Sequence, residues 1–230
     1  MSKITSVPST PGTPILKPIL SSNVRLCQTV AWSLTGLSSG LALYVWGHMS
    51  GWHFTFEPYR LFPLLGLLAF SIMWAHYVAT FVRKMLHVKP PILSYYFRST
   101  SKVVLALLFL HPGIIIYQRF RDGYGLPPGS YESYVAPGLG WVTLLGTVAW
   151  VAFIAFEFRH KYGKKSWWKY IPMAGDAAML AIVYHGLRIG DHLQTGFYRS
   201  VWIGYGVSLV LVLGYNYYRK YVRTTTVSTS

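Results

Sequence analysis

The stretches LALLFLHPGIIIY (Leu105–Tyr117) and AAMLAIVYHGL (Ala177–Leu187) are apolar apart from one histidine each, His111 and His185. With its flanks, each stretch is long enough to cross a bilayer, which needs about 20 mostly apolar residues. An ionisable side chain inside such a segment is a functional-site hypothesis by default. Two neutral imidazoles that face each other across a helix bundle can bind haem iron from both sides.

The composition predicts a polytopic membrane protein. Of the 230 residues, 53% are hydrophobic and only 12% are charged, about half the charged share of soluble domains. The net charge of +15 does not indicate a nucleic-acid partner, because the cations lie between apolar runs rather than along one basic face. The single cysteine, Cys27, excludes an intramolecular disulfide and any site built from several thiolates.

Apolar segments of spanning length predict an all-α membrane protein, a six-transmembrane-helix bundle occupying residues 23–223. A flexible tail (1–22) is expected before it and a disordered polar tail (224–230) after it. Gly36 and Gly40 form a small-xxx-small pair, which predicts close contact with a neighbouring helix. The six expected spans are Val24–Trp46, Leu61–Val82, Thr100–Tyr117, Pro137–Phe158, Ile171–Gly190 and Tyr198–Tyr218.

The distribution of lysine and arginine orients this bundle. Sixteen of the 21 lie at the span ends that share one side, and the other five lie on the opposite side. Positive residues favour the cytoplasmic side, so both termini are expected in the cytoplasm. No cleavable signal pattern precedes the first span, and the predicted location is the inner (plasma) membrane.

The two histidines are expected at matching depths. His111 lies ~15 Å and His185 ~21 Å from the inner end of its span, in an apolar core of about 30 Å. The alternative is that each histidine hydrogen-bonds to a neighbouring carbonyl or lines a wet cavity. Pro112 removes the backbone hydrogen bond to the carbonyl of Leu108 and predicts a kink. That kink either aims His111 inward or is ordinary membrane-helix bending.

Three other titratable residues are secondary candidates. His76 is a candidate second ligand or proton relay, or a solvated side chain. Asp176 either pairs with His76, shuttles protons or makes a structural hydrogen bond. His192 follows His185 by seven residues, which predicts the same helical face two turns outward. There it either contacts a haem edge, ligates in place of His185 or is simply solvated in a loop.

Arginines on the opposite side from the cation-rich loops are candidate partners for haem propionates. Arg119, Arg121 and Arg188 can each form charge-assisted hydrogen bonds with a carboxylate. Topology alone would also place arginines at these span ends. The sequence therefore leaves their role open.

The motifs Tyr95-Tyr96-Phe97-Arg98 and Leu108-Phe109-Leu110-His111 resemble the third helix of the ferric reductase-like transmembrane domain family. Trp167-Trp168-Lys169 and Val183-Tyr184-His185 resemble the inner loop and fifth helix of the haem-binding membrane subunit in the periplasmic methionine-sulfoxide reductase system. The resemblance covers roughly residues 61–223. It implies six helices that hold b-type haem, with His111 and His185 matching the ligands of the third and fifth helices.

The resemblance also bears on haem number. Relatives with a second haem carry another histidine about 13 residues before each ligand, and here those positions hold Arg98 and Pro172. Neither side chain ligates iron as imidazole does, so one haem b is expected. Pro112 is a further departure from the family pattern.

Besides a non-catalytic membrane assembly subunit whose histidines are structural, two functions from different classes remain open. The first is a membrane cytochrome, the electron-transfer subunit of a transmembrane oxidoreductase, that passes electrons to a quinone, a metal or a periplasmic or extracellular protein. No dinucleotide fingerprint accompanies it, so donor and acceptor are a separate reductase or acceptor protein, quinol, or flavin bound by a partner. The second is a haem-free helical bundle that translocates protons or a solute through its intramembrane histidines and Asp176. Oligomeric state and redox potential are left open by the sequence.

Overall fold

The computed structural model describes residues 22–52, 57–158, 163–194 and 196–228. Within these ranges the chain is helical, with no strand. Six α-helices are described, joined by turns and short 3-10 segments. In chain order they are α1 (Ser22–Met49), α2 (Pro58–Met85), α3 (Ser94–Arg121), α4 (Gly140–Glu157), α5 (Ile171–Ile189) and α6 (Phe197–Ser228).

Each expected span falls almost entirely within one of these helices, so a helix was correctly predicted at each of the six positions. The boundaries differ where local chemistry dictates them. Helix α4 begins at Gly140 rather than Pro137, because Gly138 adopts a left-handed φ of 80° that a helix cannot contain. Helix α6 continues to Ser228, so the disordered tail expected from Thr224 is helical over most of its length. Once a helix is formed, each further residue adds one backbone hydrogen bond at little cost. The expected N-terminal tail, apart from Ser22, lies outside the described residues.

Within the described ranges, three helical stretches are long and apolar enough to cross a membrane: Pro58–Met85, Pro90–Arg121 and Phe197–Lys220. A fourth apolar stretch, Gly140–Phe156, is shorter. Large apolar side chains lie exposed on the outer faces, including Leu37 and Leu211 at about 70% of their surface (73% and 67%). Such faces suit lipid as the surrounding solvent.

The bundle is built from helices that pack closely with their chain neighbours, α1 with α2, α2 with α3, and α4 with α5. The core lies where α6 meets α2 and α5. Phe70 packs against Trp202 in a tilted arrangement with ring centroids 4.2 Å apart, and Met179 and Leu209 are fully buried beside them. Two hairpins, α2/α3 and α4/α5, therefore stand side by side and are joined through α6.

The expected contact at Gly36 and Gly40 is wrong for the described residues. Both glycines are exposed, and no atom lies within 4 Å of the position a Cβ would occupy. The buried face of α1 instead carries Ala31, Thr35 and Ser38. Thr35 lies 2.7 Å from the hydroxyl of Tyr96 on α3, so the helix is rotated to place its hydrogen-bonding side chains inward.

Candidate functional site

His111 is held against α2 by a hydrogen bond and a close backbone contact. Its Nδ1 atom lies 2.7 Å from the carbonyl oxygen of Phe62, and its ring stacks on the Phe62 ring at 5.6 Å. The imidazole rests on Gly66, where a Cβ atom would come within 2.7 Å of Cε1. Real Cβ atoms do not approach so closely, so this position accepts only glycine without displacing the ring.

His185 makes the same contacts with α4. Its Nδ1 atom lies 2.9 Å from the carbonyl oxygen of Val142. The imidazole rests on Gly146, where a Cβ would come within 2.5 Å of Cε1. In both hairpins, therefore, a histidine of the second helix lies on a glycine of the first helix, and it bonds to the carbonyl four residues before that glycine.

These bonds determine the protonation of each neutral ring. A carbonyl oxygen only accepts, so Nδ1 donates, and Nε2 carries the lone pair that can bind a metal. Within the described ranges, neither Nε2 atom has a hydrogen-bond partner. Both rings are half-buried, and each presents its Nε2 acceptor from the second helix of its own hairpin.

Trp150 links the two hairpins at the level of His111. The carbonyl of Leu108, which Pro112 deprives of its helical hydrogen bond, accepts a bond of 2.8 Å from the indole Nε1 of Trp150. The indole also meets the edge of Phe109 at 5.9 Å. Helix α3 is continuous from Ser94 to Arg121, because a neighbouring helix satisfies the carbonyl that proline frees.

Of the three candidate arginines, only Arg119 is buried. Its Nη2 donates to the hydroxyl of Ser133, and its guanidinium lies 3.7 Å from the centroid of the Tyr124 ring. Its Nε–H is buried and lacks a hydrogen-bond partner among the residues that the structure describes. Arg121 and Arg188 are exposed. Arg119 is therefore the arginine whose surroundings leave a donor to be satisfied.

Arg119 is connected to His111 through aromatic rings. Its guanidinium lies 5.8 Å from the ring of Tyr134. Tyr134 in turn meets the edge of Phe62 at 5.7 Å, and Phe62 stacks on His111. This end of the α2/α3 hairpin therefore forms one continuous packed unit.

His76 and Asp176 do not pair with each other. His76 Nε2 lies 2.6 Å from the hydroxyl of Thr100. Both carboxylate oxygens of Asp176 accept tyrosine hydroxyls, from Tyr77 at 2.8 Å and Tyr217 at 2.7 Å. Among the alternatives for Asp176, the structure therefore shows a structural hydrogen bond rather than a pairing with His76, because each side chain is already bound to another neighbour.

His192 is not on the helical face of His185. Helix α5 ends at Ile189, and His192 lies in the separate 3-10 turn Asp191–Leu193. Gly190, with an extended ψ of 113°, interrupts the helix, so counting seven residues no longer means two helical turns. Burial lowers the pKa of His192, and its Nδ1 is buried without a hydrogen-bond partner in the described part of the chain.

Sequence analysis missed the residues that seat the two histidines. The signal was present as a repeated triplet, Leu64-Leu65-Gly66 in α2 and Leu144-Leu145-Gly146 in α4. Each triplet lies in the first helix of a hairpin whose second helix carries the histidine. Trp150 was also missed, although the proline that requires such a donor was identified.

Comparison with known proteins adds no relative: no protein-family model, curated protein or solved structure matches this chain. What can be said of function therefore rests on its own residues.

Proposed function

We propose that the protein is a membrane-embedded b-type cytochrome that binds one haem b through His111 and His185 and carries electrons for a transmembrane oxidoreductase. The observation that supports it is the repeated seating of these two histidines. Each donates Nδ1–H to a backbone carbonyl of the preceding helix and keeps Nε2 for a ligand. Metal-binding histidines usually have such a bond on the second nitrogen.

The residues around the pair perform three tasks that axial ligation requires. The carbonyls of Phe62 and Val142 hold the tautomer and orientation of each imidazole and increase its basicity. Gly66 and Gly146 allow the rings to lie directly on the neighbouring backbone. Trp150 satisfies the carbonyl of Leu108 one turn before His111. When bound, haem would supply one-electron redox chemistry.

Arg119 fits a role beside a haem propionate. Its Nε–H is buried and lacks a partner among the described residues, and a buried donor without an acceptor is costly. A carboxylate would accept that hydrogen in a charge-assisted bond. Arg121 and Arg188 are exposed and are weaker candidates for the same role.

One haem is proposed rather than two, because the family's second ligand positions hold Arg98 and Pro172. Electron donor and acceptor are then separate molecules: a reductase or acceptor protein, quinol or quinone, or flavin bound by a partner. The proposal includes six spans in the inner (plasma) membrane with both termini cytoplasmic. The excess of cations at one end of the bundle supports this orientation.

A haem-free proton-translocating bundle is the second candidate. Two separate sets of hydrogen bonds favour it, one around His76 and one around Asp176. Each set joins two or three helices. Such networks can relay protons in a membrane. This function requires no haem, so the haem content of the purified protein distinguishes it from the first function.

Optical spectra of the purified protein distinguish the two functions. After expression with ample haem, a reduced-minus-oxidised spectrum with low-spin b-type bands and a pyridine-haem value near one per chain would support the cytochrome. Absence of Soret absorption would refute it and favour the proton-translocating bundle. A value near two would reject the single-haem assignment and direct attention to His76.

A further inference from the structure

A cavity of about 1720 Å³ lies at the cation-rich end of the bundle. It extends from the ends of α2 and α6 and the beginning of α5 toward the middle of the helices. Its inner wall is apolar and is formed by Met73, Val104, Leu108, Phe153 and Met179. Ligand pockets usually measure about 300–1,000 Å³, so this cavity can hold a large molecule with an apolar body.

The mouth of the cavity is strongly positive. Among the residues that the structure describes, six lysine and arginine side chains line it, together with one carboxylate, that of Asp176. Both oxygens of that carboxylate already accept hydrogen bonds from Tyr77 and Tyr217. Asp176 carries one negative charge, which Arg83, Lys89, Lys169 and Arg219 alone outnumber. The six cations are Arg83, Lys84, Lys89, Lys169, Arg219 and Lys220.

A polar layer separates the cationic mouth from the apolar wall. The hydroxyl of Thr100 donates to the carbonyl of Tyr96 at 2.7 Å, so its oxygen accepts from His76 Nε2. His76 lines the cavity, and its Nδ1 is then an acceptor. Along its length the cavity thus changes from cationic to polar to apolar.

We propose that this cavity binds an amphiphile with an anionic phosphate head and an apolar acyl tail. The head lies among the cations at the mouth, which include Lys89 and Lys169, and the tail lies against Val104, Phe153 and Met179. Basic pockets between transmembrane helices on the cytoplasmic side bind phospholipid heads in this way. An anionic head would pair with Lys89 and Lys169, which a neutral head would not, and a free anion would leave the apolar wall uncovered. The site is independent of His111 and His185.

Native mass spectrometry of the full-length protein tests the head group. The protein, in a neutral detergent, is titrated with phosphatidylglycerol or with phosphatidylcholine of identical chains. We expect one phosphatidylglycerol adduct at a concentration about tenfold lower than the corresponding phosphatidylcholine adduct, since each nearby cation favours an anionic head. Equal binding of the two lipids would overturn the proposal.

Two double variants with the same charge change test the location. Lys89→Gln/Lys169→Gln removes two cations from the mouth and is expected to abolish the roughly tenfold preference. Lys164→Gln/Lys165→Gln removes two exposed cations that do not line the cavity, and the preference should persist. Equal effects of the two pairs would place the lipid elsewhere and refute the site.

A third variant tests whether the acyl tail of the lipid contacts the apolar wall. Leu105→Trp adds bulk to the apolar wall and should weaken binding of both lipids without changing their ratio. Inorganic phosphate at millimolar concentration should displace neither lipid. Displacement by phosphate would show a site for the head alone and contradict an amphiphile. The lysine variants, which alter exposed side chains, keep the proposal testable if Leu105→Trp does not fold.

Discussion

The Nδ1 atom of His111 lies 2.7 Å from the carbonyl oxygen of Phe62, one helical turn before the glycine on which the imidazole rests. His185 repeats this arrangement in the second hairpin with Val142 and Gly146. One such histidine is compatible with a purely structural hydrogen bond. Two, in the same relation to a glycine and with Nε2 left as an acceptor, are the basis for assigning them as a ligand pair.

Adding a methyl group at either glycine should disturb haem binding. A Cβ in Gly66→Ala or Gly146→Ala would lie 2.7 or 2.5 Å from Cε1 of the histidine, so the ring must move and its bond to the carbonyl must lengthen. We expect haem affinity to fall about 10- to 100-fold, the usual effect of losing a partner that orients a metal ligand. Haem titration of the purified apoprotein measures it.

The control for this prediction is on α1. Gly36→Ala and Gly40→Ala add the same methyl group where no described atom lies within 4 Å, and haem affinity should be unchanged. If these variants weaken haem binding as much as Gly66→Ala does, the loss reflects general destabilisation and the glycines have no special role.

Trp150 and Pro112 should be energetically coupled through the carbonyl of Leu108. Trp150→Phe removes the bond to that carbonyl and should lower the free energy of unfolding by about 1 kcal/mol. In a Pro112→Ala background, the restored backbone N–H at residue 112 serves the same carbonyl, so Trp150→Phe should cost less. The free energy of unfolding is measured in mixed micelles for the unaltered protein, the two single variants and the double variant. Equal costs in both backgrounds would show that Trp150 acts through packing alone.

The sequence predicted the positions of the helices better than it predicted contacts between them. Runs of apolar residues locate each helix because a membrane requires them, and Pro112 correctly indicated a carbonyl in need of a donor. The rotation of a helix is set by its neighbours, so Gly36 and Gly40 were assigned to the wrong face. His192 was misplaced for a related reason, since Gly190 ends the helix on which the spacing was counted. That Gly66 and Gly146 seat the histidines depends on pairing between helices, which one sequence does not specify.

Asp122, beyond the end of α3, should show a low pKa that depends on Tyr59. The hydroxyl of Tyr59 donates to its Oδ2 at 2.6 Å and Gln118 donates to Oδ1 at 2.8 Å, which hold the pKa of this carboxyl below its ordinary value. Because the folded pKa is depressed, the bonds are present at neutral pH and are lost as the pH falls through it. Tyr59→Phe should raise the pKa of Asp122.

Carbon NMR of aspartate-labelled protein measures this shift, since the chain has only three aspartates. Asp176, which does not contact Tyr59, serves as the internal reference. An unchanged Asp122 titration in Tyr59→Phe would mean that the hydroxyl bond does not form.

Reporter fusions test the predicted orientation of the bundle. Reporter domains fused after Tyr117 and after Gly190 should report the outside, and one fused after Phe158 should report the cytoplasm, because 16 of the 21 lysines and arginines lie on the side assigned to the cytoplasm. The opposite pattern at all three sites would invert the bundle. A mixed pattern would mean that fewer than six helices span the membrane.

The spin state of bound haem in ligand variants tests the central claim most directly. In the unaltered protein we expect the low-spin spectrum of two axial imidazoles, by optical absorption and electron paramagnetic resonance. His111→Ala and His185→Ala should each give high-spin haem or lose it, with partial recovery on adding imidazole. His192→Ala should remain low-spin. Low-spin spectra that survive both His111→Ala and His185→Ala would contradict the assignment of this pair.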